Sequence, residues 1–147
     1  MAPDPLAQVH VSDFNWPVRV YYEDTDAGGV VFYANYLKFF ERARTERLRA
    51  RDVHQHDLLQ SHGVVFVVKS SSIDYHAPAR LDDELAITVA VEKLGRASVQ
   101  FRQHAWRMNG EKRLLCSAQV KVVCVEEASF RPCPIPDRVL QNITAPA

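Results

Sequence analysis

Asn35-Tyr36-Leu37-Lys38-Phe39-Phe40-Glu41-Arg42-Ala43-Arg44-Thr45-Glu46-Arg47-Leu48-Arg49-Ala50-Arg51 is the stretch on which the fold turns. Apolar Tyr36, Leu37, Phe40, Ala43 and Leu48 recur at three- and four-residue steps, while Glu41, Arg42, Glu46 and Arg49 point elsewhere, which is the pattern of an amphipathic helix. Asn35 stands where a side-chain oxygen would accept from an unpaired amide of the first turn, so it reads as the N-cap. A shorter helix is expected from His54 to Ser61, stopped by Gly63.

On either side of these helices the period changes to two. Val18, Val20 and Tyr22 alternate with Arg19, Tyr21 and Glu23, predicting a strand with one buried face. Val64 to Tyr75 is a β-branched and aromatic run that ends near Pro78. Leu85, Ile87, Val89 and Val91 share one face, Gly95 marks a turn, and Val99, Phe101 and Ala105 follow up to a hairpin signal at Asn109-Gly110. Leu114, Cys116, Ala118, Val120, Val122 and Cys124 complete the series. One strand, a long helix and a run of hairpin-linked strands predict an α+β fold, an antiparallel sheet of about five strands with the helices on one face. The sheet is expected to curl around the long helix. A chain of 147 residues suits one domain. Its bounds are read as a tail at 1–15, a domain at 16–140 and a second tail at 141–147, because the two ends carry little periodicity.

Eighteen Lys plus Arg balance eighteen Asp plus Glu, so no global field draws the chain to nucleic acid or to an anionic membrane. No segment reaches the roughly 20 apolar residues that span a bilayer, and the first fifteen residues lack a basic stretch followed by a long apolar run. The chain reads as cytoplasmic. Cys116, Cys124 and Cys133 lack close C-x-x-C spacing and read as buried thiols. His54 and His56 are two apart and would diverge on a helix, so no metal is expected. Ser70-Ser71-Ser72 lacks the glycines of a nucleophile elbow. The row Arg42, Arg44, Arg47, Arg49 and Arg51 is interspersed with Glu41 and Glu46 and reads as a solvated, paired helix face.

Chemistry concentrates between the first strand and the helix, in Tyr22-Glu23-Asp24-Thr25-Asp26-Ala27-Gly28-Gly29-Val30-Val31-Phe32-Tyr33-Ala34-Asn35-Tyr36. Acids before a helix have a structural reading, since they interact favourably with the positive end of its dipole. They also have a functional one. An ordinary aspartate, titrating near about 3.9, is ionised at neutral pH and can attack a carbonyl or activate water. Backbone amides beside it can polarise that carbonyl, one good donor contributing on the order of 3 kcal/mol to the transition state.

Trp16-Pro17-Val18-Arg19-Val20-Tyr21-Tyr22-Glu23-Asp24-Thr25-Asp26-Ala27-Gly28-Gly29-Val30-Val31 resembles the signature of the 4-hydroxybenzoyl-CoA thioesterase family, most closely its Tol-Pal system-associated acyl-CoA thioesterases. Glu41 to Glu46, and Tyr75 through Ala77-Pro78-Ala79-Arg80-Leu81-Asp82-Asp83, extend the match to most of the chain from Trp16 to about Val125. The resemblance implies a hotdog fold, a homodimer or homotetramer, and hydrolysis of an acyl-CoA thioester to the free acid and coenzyme A without a cofactor. It assigns catalysis to Asp26, the second member of the Asp-x-Asp pair begun by Asp24. It assigns substrate contact to the backbone amide of Tyr33 and to Gly29, and implies an acyl carrier protein or envelope-system partner. Close relatives often carry histidine where this chain has Tyr33. A phenol titrating near about 10 exchanges protons less readily near neutrality than an imidazole. Lys69, Arg80, Arg96, Arg102 and Arg107 are candidates for the coenzyme A phosphates. The competing readings are a non-catalytic acyl-CoA or acyl-carrier binding module serving envelope maintenance, and a hotdog dehydratase. The dehydratase would be expected to use a histidine, and none lies in the Asp26 loop.

Overall fold

The computed structural model describes residues 14–145. Strand β1 (Phe14–Arg19) leads into helix α1 (Tyr36–Ala50) and helix α2 (Gln55–His62). Strands β2 (Val64–Tyr75), β3 (Glu84–Leu94), β4 (Ser98–Arg107) and β5 (Arg113–Glu126) follow, and helix α3 (Asp137–Thr144) ends the domain. The five strands form one antiparallel sheet in the order β1-β3-β4-β5-β2. This is the expected α+β hotdog arrangement, with β1 and β2 at the two edges.

Helix α1 packs against β1 and β3, and its buried face is Tyr36, Phe39, Phe40, Ala43 and Leu48. Leu37, expected on that face, is exposed, and Phe39 takes its place one position into the helical stripe. Val20, just past β1, and the sheet residues Leu85, Ile87, Val89, Val99, Phe101, Ala105, Cys116, Ala118, Val120, Val122 and Cys124 join the helix residues in one core. α2 ends as expected at Gly63, whose φ of 65° lies in the left-handed region and whose N–H donates to Leu59.

Strict alternation fails where the ladder slips. Register shifts between Ala105 and Trp106, so Leu115 and Cys116 are both fully buried in the main core. Leu114, placed in the core phase by its spacing, instead joins Ala86 and Trp106 in a small separate cluster. β1 also ends sooner than its alternation suggests. Tyr22, expected to share a face with Val18 and Val20, lies in a 3-10 turn and is exposed.

Two further expectations are corrected by burial. The tail expected from 141 onward is instead packed against the domain, since α3 runs to Thr144 and buries Ile143 completely, with Val139 beside it. That helix is only two turns long, too short for its apolar period to stand out. The arginine row of α1 is not uniformly solvated. Arg47 is 1% exposed and donates through Nη2 to the Ile143 carbonyl at 3.1 Å. Arg44 is also buried, and its Nη1 donates to Gln103 Oε1 at 2.9 Å. Gln103 is fully buried on the core phase of β4 and donates in turn to the Phe40 carbonyl at 3.0 Å. Burial lowers the Arg44 pKa to about 10, so the guanidinium stays charged at neutral pH and needs that partner. The pair fastens α1 to the middle of the sheet.

Candidate active site

The Asp26 loop is closed by its own backbone. Thr25 and Val31 pair as an antiparallel bridge. Inside that bridge the Asp26 N–H donates to the Val30 carbonyl at 2.9 Å, and the Gly29 N–H donates to the Asp26 carbonyl at 3.0 Å. Gly29 has φ 77°, a conformation that other residues adopt with strain, and a Cβ there would meet nothing within 4 Å. The backbone angle, not crowding, calls for glycine. Since its N–H is engaged, Gly29 presents a bare Cα to solvent.

At the tip, Asp26 Oδ1 accepts the Gly28 N–H at 2.8 Å. Asp26 Oδ2 has no hydrogen-bond partner among the described residues, and the side chain is exposed. A Cβ on Gly28 would stand 3.2 Å from Oδ1, so that glycine keeps room beside the carboxylate.

Asp24 is arranged differently. It is 6% exposed, its Oδ2 accepts the Tyr21 N–H at 2.9 Å, and its Oδ1 accepts the Asn35 Nδ2 at 2.9 Å. The Asp24 carbonyl also accepts the Phe32 N–H at 3.0 Å. These bonds join both ends of the loop at one buried carboxylate. They also correct the reading of Asn35, which makes no side-chain cap. Its backbone is already helical, and its amide reaches eleven residues back to Asp24.

A 3-10 turn, Tyr33–Asn35, runs directly into α1. Its first amides, those of Tyr33 and Ala34, donate to no backbone acceptor among the described residues. They stand at the positive end of α1, where partial charge favours an oxygen that gains electron density. The Tyr33 side chain is 64% exposed and lies beside Phe32, with ring centres 4.7 Å apart. Tyr75, at the end of β2, donates its hydroxyl to the Tyr33 carbonyl at 2.9 Å. Partial burial raises the Tyr75 pKa, so the phenol remains a donor at neutral pH.

The segment between β2 and β3 supports the loop from below. Val31 N–H donates to the Ala79 carbonyl at 2.8 Å, and the Ala79 N–H donates to the buried Tyr36 hydroxyl at 3.3 Å. Val30 bridges Arg80, whose own N–H donates to Asp83 Oδ2 at 2.9 Å. Of the candidate phosphate cations, Arg80 is thus the one paired through its backbone with the Asp26 loop. Arg102 is bound to Glu92 at 2.6 Å. Arg107 donates to the Glu111 carbonyl and lines a cavity of about 660 Å³ with His76, Trp106, Lys112 and Arg113, a cavity whose lining does not include Asp26. Lys69 and Arg96 are exposed. Sequence reading missed the roles of Tyr75, Asn35 and Gln103. Tyr75 was noticed only as part of a motif, and its partner lies 42 residues away.

The sequence matches the thioesterase superfamily over residues 28–114. It is 46% identical over 127 residues to an acyl-CoA thioester hydrolase YbgC of Escherichia coli, covering 86% of this chain and 92% of that protein. It is 47% identical over 126 residues to an acyl-CoA thioesterase YbgC of Haemophilus influenzae, covering 86% and 90%. The fold is similar to that of a 4-hydroxybenzoyl CoA thioesterase mutant complexed with 4-hydroxybenzoyl CoA, with a TM-score of 0.83 at 19% identity, covering 88% of this chain and 97% of that one.

Proposed function

This chain belongs to the thioesterase superfamily, and from that membership we infer that it hydrolyses an acyl-CoA thioester to the free acid and coenzyme A, with Asp26 carrying the reaction. The observation that supports Asp26 is its placement. It is the exposed acid of the pair, held by one hydrogen bond from the Gly28 N–H, in the same closed loop that ends at the Tyr33 and Ala34 amides, which donate to no backbone acceptor among the described residues. Asp24 has both oxygens engaged in holding the loop.

In the mechanism the thioester carbonyl oxygen lies against the Tyr33 amide, where the dipole of α1 favours the charge that develops on it. The Asp26 carboxylate either attacks the thioester carbon, expelling the coenzyme A thiolate and leaving an acyl anhydride for water to cleave, or removes a proton from the water that attacks. Gly29, with open space at its Cα, lets the substrate approach the carboxylate. Single-turnover hydrolysis in heavy-oxygen water tests the first route, since label in Asp26 supports direct attack and its consistent absence counts against it.

The acting assembly is a homodimer in this reading. The outer edge of β2 is unpaired among the described residues, and Val68 on it is 53% exposed. A second copy meeting that edge would also cover the exposed Phe32 and Tyr33. No described helix is long and apolar enough to cross a membrane. We place the enzyme in the cytoplasm, with an acyl carrier protein or an envelope-system protein as the further association that the resemblance implies.

Thiol release from short-chain, long-chain and aromatic acyl-CoA esters, by wild type and Asp26→Asn, tests the proposal. Turnover by wild type that collapses in the variant supports it and reveals the acyl preference. Binding without thiol release by wild type would return the chain to the binding-module reading.

A further inference from the structure

The contact between Tyr75 and Tyr33 is not required to close the loop. Asp24, Asn35 and the Phe32 N–H already tie its two ends together, and Ala79 holds Val31 from below. Yet a tyrosine 42 residues downstream places its hydroxyl 2.9 Å from one backbone carbonyl of the turn that opens α1. Its ring is fixed against two neighbours. It meets the Tyr33 ring edge-on, with centres 6.4 Å apart at 85°, and the buried Tyr36 ring with centres 5.7 Å apart at 61°. Tyr36 is itself anchored by the Ala79 N–H.

The carbonyl that Tyr75 selects belongs to the 33–34 peptide, so its partner on the other side of the planar amide is the Ala34 N–H. A donor on that oxygen has two effects. It fixes the peptide plane, and with it the direction of the Ala34 N–H and the torsion that aims the Tyr33 N–H. It also draws electron density from the nitrogen, making that N–H a stronger donor, as in any chain of hydrogen bonds. Both amides lack an acceptor among the described residues. Because the bond lies at a half-exposed surface, where Tyr75 is 48% exposed, its contribution to folding is small.

We propose that Tyr75 is a positioning residue for thioester hydrolysis, its hydroxyl orienting and polarising the 33–34 peptide so that the Tyr33 and Ala34 amides face the substrate carbonyl oxygen. This rests on the reading that those amides receive that oxygen. Tyr75 does not touch the substrate in this role and moves no proton.

Tyr75→Phe keeps the ring and removes only the hydroxyl. The expected result is a kcat about tenfold lower, the rate equivalent of one net hydrogen bond, with KM within about twofold and an unchanged thermal midpoint. A second readout sees polarisation directly. In the slow Asp26→Asn background, the infrared carbonyl band of a carbon-13-labelled acyl-CoA, chosen as the ester that wild type turns over fastest, should shift to lower frequency on binding. The shift should be smaller in Asp26→Asn/Tyr75→Phe. An unchanged kcat together with an unchanged carbonyl shift would overturn the proposal, as would a loss of thermal stability that accounts for the whole loss of activity. Failure of the underlying reading would be visible separately, as a carbonyl band that does not move on binding to Asp26→Asn with Tyr75 intact.

Discussion

Asp24 and Asp26 are separated by one residue, and their surroundings differ. Asp24 accepts from Tyr21 and Asn35 in a buried position, while Asp26 accepts one bond from Gly28 and faces solvent. Two substitutions next to these acids should therefore have opposite signatures. Asn35→Ala leaves Asp24 Oδ1 short of a donor and should lower unfolding free energy by about 1–3 kcal/mol in urea titrations. Gly28→Ala puts a Cβ 3.2 Å from Asp26 Oδ1 and should reduce kcat while moving the urea midpoint little. The acids were legible from sequence as a group, and resemblance chose between them. The difference in their surroundings was not legible, because it lies in a contact from Asn35 that looked like a helix cap.

At the scale of elements, the long helix and the strands β1, β3, β4 and β5 could be read from periodicity, since each presents one apolar face, and β2 from its β-branched and aromatic start, since most of it is exposed. What escaped were places where a polar group or a slip breaks that face, namely Gln103 in the core phase of β4, the register shift at Ala105/Trp106, and the short α3. α3 closes the core over Arg47 through the Ile143 carbonyl. Ile143→Ala should cost about 2–5 kcal/mol, measured by denaturant unfolding, where a tail residue would cost almost nothing. Alkaline pH is a second test of the buried layer. Burial pushes the Cys116 and Cys124 thiols from 9.0 up to about 12 and the Tyr36 phenol from 10.0 up to about 12. The folded state thus holds these protons after the unfolded chain has released them. Their contribution to stability is complete below about pH 9 and declines as pH rises from there toward 12. A urea midpoint that falls over this range, and falls less in Tyr36→Phe above pH 10, is the expected observation.

For the whole molecule, one curled sheet around one helix leaves the Asp26 loop on an open surface and the β2 edge without a partner among the described residues. The proposed assembly rests on family resemblance and on that edge, because an edge strand has the same local sequence pattern as an interior one. If the proposed homodimer forms through that edge, Val68→Asp puts a charge on it and should turn the dimer seen by light scattering into a monomer, with a parallel loss of activity where the second copy helps to enclose the substrate. The proposed mechanism depends on a division of labour between the two acids. It is tested most directly by measuring kcat for thiol release and the thermal midpoint together in Asp24→Asn and Asp26→Asn. Asp26→Asn should keep the wild-type midpoint and lose at least about a hundredfold in kcat, while Asp24→Asn, with an amide donor now facing donors, should lose thermal stability. An Asp26→Asn enzyme within a few-fold of wild-type kcat, or an Asp24→Asn enzyme as stable as wild type but inactive, would contradict it.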